Sequence, residues 1–111
     1  MGKAIEAIAL QRGHTIGLRV DSRNAGAAPT GCAVAIEFSR PEHALGNMRL
    51  CLEHGVPVVV GTTGWYDRLH EVKAMVAKND GSLLWASNFS IGVNLFFRMN
   101  RMLAGLMDKQ L

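Results

Sequence analysis

An α/β fold built on a parallel sheet is what this sequence predicts, and three observations carry it. Short apolar runs rich in β-branched residues alternate along the chain with stretches whose apolar residues recur at helical spacing. Strands that alternate with amphipathic helices in this way imply parallel pairing through right-handed crossovers. The chain is 111 residues long, 49% hydrophobic and 19% charged, enough to bury one core. The expected architecture is a Rossmann-like three-layer sandwich with helices on both faces of the sheet.

Taken in order, Ala4, Ile5, Ile8 and Ala9 fall on one helical face, and Gly13 stops that helix after Arg12. In His14–Val20, Ile16, Leu18 and Val20 alternate as in a strand. Asp21 to Gly31 reads as a loop, punctuated by Asn24, Gly26 and Pro29. Ala33–Phe38 is the second strand. Pro41 suits the first turn of a helix, where its missing N–H is not needed, and Ala44, Leu45, Met48 and Leu52 form that helix's stripe up to Gly55. Val56–Val60 lacks alternation, as expected of a strand covered on both faces, with Pro57 at its start. After Gly61–Gly64, Leu69, Val72, Met75 and Val76 define a helix with Asp67 near its start and Lys78 at its end, a polarity that suits its dipole. Ser82–Ala86 is the last strand. Ser90 caps a final helix whose stripe is Val93, Phe96, Phe97, Asn100, Leu103 and Met107.

Several function classes are disfavoured. The net charge of +3 comes without a basic run, since Arg12, Arg19, Arg23, Arg40, Arg49 and Arg68 are scattered, so no nucleic-acid partner is expected. No apolar run reaches the length of a membrane span, and the N-terminus has no signal-peptide pattern. Cys32 and Cys51 lie in apolar segments and read as buried reduced thiols. His14, His43, His54 and His70 fall on different elements and make no metal ligand set. A cytoplasmic domain without a metal is the expectation.

In an open parallel sheet, ligands bind beyond the carboxyl ends of the strands. Asp21, Ser39–Arg40, Gly61–Gly64 and Ser87–Ser90 would then line one edge. Asp21 is either an acceptor for ribose hydroxyls or a plain loop residue, with Gly2 nineteen positions before it. Gly61 and Gly64 permit close backbone approach or positive φ around Thr62 and Thr63; the segment either contacts a ligand or is a strand-to-helix connection with Thr63 as a cap. Asn88 and Phe89 either hold a planar ring or serve as turn and core.

Glu37-Phe38-Ser39-Arg40-Pro41-Glu42, Gly61-Thr62-Thr63-Gly64 and Ala86-Ser87-Asn88-Phe89-Ser90-Ile91-Gly92-Val93-Asn94 together closely resemble dihydrodipicolinate reductase. The resemblance covers essentially the whole chain. It implies reduction of a cyclic imine on the diaminopimelate route to lysine, by hydride from NADH or NADPH. It implies cofactor contacts from Gly2, Asp21, Gly61, Thr62, Thr63, Ala86, Ser87, Asn88 and Phe89. Ser22 separates Asp21 from Arg23, which leaves NADH and NADPH both open.

The resemblance also implies that residues 1–111 are a partial dinucleotide-binding domain. The family's first strand and earlier glycines are expected before Met1, and its catalytic domain after Leu111. Nothing here matches the family's catalytic His-His pair and lysine, so no catalytic residue is assigned. The fragment alone is expected to be inactive, the small-molecule substrate to need the other domain, and the full-length family to form homo-oligomers. Another Rossmann oxidoreductase and a non-catalytic nucleotide-binding domain are the alternatives.

Overall fold

The computed structural model describes residues 1–108. Helix α1 spans Gly2–Gln11, strand β1 Ala35–Glu37, α2 Pro41–Glu53, β2 Val58–Val60, α3 Leu69–Lys78, β3 Leu83–Trp85 and α4 Ile91–Asp108. One 3-10 turn, Tyr66–Arg68, leads into α3. The strands form a parallel sheet in the order β1-β2-β3, with Ala35, Val58 and Leu83 in one row, Ile36, Val59 and Leu84 in the next, and Glu37, Val60 and Trp85 in the last. The alternating α/β pattern with parallel pairing is as the sequence predicts.

Local chemistry explains the central elements. Arg40 is extended (φ −106°, ψ 155°) and hands over to Pro41 at the first position of α2, as a residue before proline prefers. The stripe Ala44, Leu45, Met48 and Leu52 is buried, joined by Cys51. Met48, Leu52, Val58, Val60 and Val72 are nearly solvent-free, each contributing about 1.5–3 kcal/mol of apolar burial. This core lies between α2, α3 and one face of the sheet. Its largest member is Trp65, 2% exposed, just ahead of the 3-10 turn.

Three expectations are corrected. His14–Val20 forms no strand. Alternation gives a segment two faces but not a hydrogen-bonding neighbour, and this one bonds elsewhere. The His14 N–H donates to the Ala9 carbonyl, Arg19 pairs with Glu6 at 2.5 Å, and the Arg19 carbonyl accepts from Asn24. Val56–Val60 is not covered on both faces: Val58 and Val60 are buried, but Val59 is half-buried, and its row neighbours Ile36 and Leu84 are 51% and 60% exposed. The second helical layer does not form among the described residues. Neither α1 nor α4 buries a residue, and of the α4 stripe only Val93 is half-buried. The amphipathic pattern names the face a helix would bury, not whether a surface is presented to it. The Cα radius of gyration, 17.0 Å, accordingly exceeds the ~13 Å of a compact chain this long.

Candidate functional site

The last register row, Glu37-Val60-Trp85, is followed on each strand by a loop at the carboxyl edge. Gly61 donates its N–H to the Glu37 carbonyl (2.9 Å) and Ala86 donates to the Val60 carbonyl (3.3 Å). Phe38, Gly61 and Ala86 therefore start three adjacent loops at one level.

The loop after β2 is shaped by its glycines. A Cβ on Gly61 would come within 2.0 Å of the Phe38 ring, so the aromatic covers this position only because it is bare. Gly64 has φ +82°, and a Cβ there would lie 2.8 Å from Pro41 Cγ. Left-handed backbone and close approach together exclude other residues at little strain. The two threonines between them differ. Thr62 is buried at 5% exposure; its Oγ1 accepts the Ser39 N–H at 2.7 Å, and its carbonyl accepts the Trp65 indole N–H at 2.6 Å. Thr63 is exposed and caps no helix, since the next turn starts at Tyr66.

Beyond β3, Asn88 Oδ1 accepts the Ser90 N–H (2.8 Å), and the Asn88 carbonyl accepts Asn94 Nδ2 (2.9 Å). Ser90 Oγ accepts the Val93 N–H (3.3 Å), which is the helix cap the sequence predicts. The Phe89 ring meets Phe38 edge-on at 6.4 Å. Ser87 is exposed and Ala86 half-buried. Among the described residues, the amides of Thr62, Thr63, Ser87, Asn88 and Phe89 donate no hydrogen bond. The edge thus offers a row of unengaged N–H donors beside an aromatic pair. That donor set fits the oxygens and planar ring of a dinucleotide.

Gly61, Thr62, Thr63, Ala86, Ser87, Asn88 and Phe89 come together at this edge. No hydrogen bond or ion pair joins Gly2 or Asp21 to it among the described residues. Gly2 opens α1, with Met1 preceding it. Asp21 lies in an exposed turn, where its carboxylate accepts the Arg23 N–H (2.8 Å) and pairs with the Arg23 guanidinium (2.6 Å). The Arg23 hydrogen bonds hold the Asp21 carboxyl below the ordinary aspartate range. Arg40 follows β1 as an exposed residue. Both cysteines are free, and burial pushes the Cys51 thiol above its usual value. No group of three or more His, Cys, Asp or Glu able to hold a metal occurs among the described residues, and no helix there is long and apolar enough to cross a membrane.

Sequence reasoning missed Phe38, Trp65 and Asn94 as shaping residues. Phe38 was findable as the aromatic one strand over from a bare glycine. Trp65 was findable as a large apolar residue directly after a strand-end Gly64.

The family model described as dihydrodipicolinate reductase, N-terminus, matches residues 1–89. The chain belongs to the dihydrodipicolinate reductase family. This is a family of oxidoreductases whose N-terminal unit is a nucleotide-binding domain. Among curated members, the 4-hydroxy-tetrahydrodipicolinate reductase of Christiangramia forsetii is 42% identical over an alignment of 110 residues that covers 97% of this chain and 46% of that protein. The enzymes of the same name from Chromobacterium violaceum and Streptomyces avermitilis are 44% and 42% identical over 75% and 69% of this chain, or 31% and 32% of theirs. The chain thus spans less than half the length of these relatives. No solved structure matches it significantly.

Proposed function

We propose that residues 1–111 are the nicotinamide-dinucleotide-binding part of a 4-hydroxy-tetrahydrodipicolinate reductase. The observation that carries this reading is the convergence of Gly61–Thr63 and Ala86–Phe89 on one sheet edge, with the amides of Thr62, Thr63, Ser87, Asn88 and Phe89 unengaged among the described residues. NADH or NADPH, when bound, supplies the hydride. The chain's own part is to hold and orient it. Thr63 and the free amides face the crevice as donors. Asn88 keeps its Nδ2 available because its Oδ1 is committed to Ser90. Phe38 and Phe89 give a planar ring an apolar wall. Asp21 accepts ribose hydroxyls, and the N-terminus of α1 at Gly2 favours the pyrophosphate.

Arg23 lets the same turn accept either dinucleotide: paired with Asp21 it leaves the ribose site to NADH, and swung away it meets the extra phosphate of NADPH. The catalytic groups, the small-molecule substrate and the homo-oligomer contacts belong to a second domain. The reaction takes place in the cytoplasm, with the diaminopimelate route to lysine as its setting.

A chimera tests the reading. The aligned segment of this chain replaces its counterpart in the Christiangramia forsetii enzyme, and NAD(P)H oxidation with 4-hydroxy-tetrahydrodipicolinate is followed. Activity is expected, with Thr63→Ala and Asn88→Ala each raising the NADH KM about tenfold through a lost polar contact. A folded but inactive chimera, or variants with unchanged KM, would overturn it.

A further inference from the structure

Glu37 closes β1 with its side chain on the helix-covered face, 6% exposed. Its row neighbour Val60 and the nearby Val58 are apolar, and a hydrophobic residue would fill this position at less expense. No Lys or Arg forms an ion pair with Glu37 among the described residues. Buried carboxylates are ordinarily paired with a cation or fully hydrogen-bonded. Here Oε1 accepts the Ser39 hydroxyl and Asn47 Nδ2 (3.3 Å), while Oε2 is enclosed without a partner. Asn47 Nδ2 also reaches Ser39 Oγ at 3.3 Å.

The chain of bonds does not stop there. The Ser39 N–H donates to Thr62 Oγ1 (2.7 Å). One buried carboxylate therefore links α2, through Asn47, to the loop after β1 and from there to the loop after β2. Among the described residues, the other acceptor within reach of the Ser39 hydroxyl is the exposed Arg40 carbonyl at 3.4 Å.

We propose that Glu37 is a positioning residue of the nucleotide site: its carboxylate fixes Ser39 and so sets the spacing between the Ser39–Arg40 and Thr62–Thr63 walls of the crevice. This rests on the function proposed above, because it is a dinucleotide whose fit that spacing governs. Glu37 touches no ligand, since both its oxygens are turned inward.

Two readouts test it. In the full chain, amide hydrogen exchange at Ser39 reports the brace without any nucleotide. In the chimera, the NADH KM reports the crevice. Glu37→Ala is expected to speed Ser39 exchange about tenfold and raise the NADH KM about fivefold, as for one lost hydrogen bond. Glu37→Gln keeps an acceptor oxygen and is expected to restore both to within about twofold. If Glu37→Ala does not fold, Ser39→Ala removes the same link at an exposed residue and must raise the KM alone. Unchanged Ser39 exchange, an unchanged KM or failure of glutamine to rescue would each overturn the proposal. A parent chimera without NADH-dependent activity refutes the functional reading instead, and Ser39 exchange in the full chain still decides the inference.

Discussion

Replacing Thr62 by valine removes one oxygen and keeps the shape of the side chain. That oxygen is the acceptor for the Ser39 N–H at 2.7 Å, in a residue only 5% exposed. The bond from the Trp65 indole goes to the Thr62 carbonyl and is left in place, so the substitution isolates the hydroxyl. A net hydrogen bond is worth ~1 kcal/mol, and the stranded Ser39 donor adds part of its desolvation penalty. Ser39 itself is exposed, so water recovers some of this. A loss of about 1–2 kcal/mol follows. With a urea slope near ~1.5 kcal/mol per molar, the midpoint should fall by about 1 M. Thr63→Val is the internal control. Thr63 is exposed and its hydroxyl makes no hydrogen bond among the described residues, so its midpoint should shift by less than about 0.3 M. Equal midpoints for Thr62→Val and the parent, or an equal fall for Thr63→Val, would refute the division of roles between the two threonines.

Other substitutions give equally direct readings. Gly61→Ala drives a Cβ to 2.0 Å from the Phe38 ring and should lose about 1–3 kcal/mol in chemical denaturation, with Phe38→Ala in the same chain recovering most of it. Gly64→Ala combines φ +82° with the Pro41 contact and should be destabilising by about 1–3 kcal/mol in thermal unfolding. Arg23→Gln removes the guanidinium bonds but keeps the backbone N–H on the carboxylate, so the Asp21 carboxyl should move upward yet stay below the ordinary range in an NMR titration. Because its native value is depressed, the pair's contribution is present above the ordinary aspartate range and fades as pH falls through the lowered one. In the chimera the same variant should weaken NADPH about tenfold relative to NADH. Cys51, with its thiol raised by burial, should react with a soluble disulfide reagent at least about tenfold more slowly than half-buried Cys32.

Much of the central region was legible because two constraints agreed there. In Pro41–Gly55 the proline start, the apolar stripe and the stopping glycine all name one helix, and Ala44, Leu45, Met48 and Leu52 are buried as read. The flanks had only one constraint. Ile16, Leu18 and Val20 alternate, but pairing depends on which edge a segment reaches, and period does not encode that. The apolar face of α4 was visible in sequence, whereas its exposure was not. At the candidate edge, the order of the strand-end loops could be read from the chain. That Thr62 turns inward while Thr63 does not could not, because it depends on where Ser39 of a neighbouring loop places its N–H. Glu37 resisted for a related reason: an acidic residue in a strand reads as solvent-facing, and only the register puts it under α2.

The packed part of the molecule runs without interruption from Ala35 to Trp85, and each strand pairs with the next one along the chain. Its contacts are thus made between consecutive β-α-β units, each closing one crossover rather than a longer loop. The helices at either end lie outside that set of contacts. The molecule is therefore one cooperative block carrying two independently fraying arms, and its unfolding is not a single event along the sequence. Amides of α1 and α4 open on their own, while those of β2, enclosed by a strand on each side, are released only when the whole block comes apart.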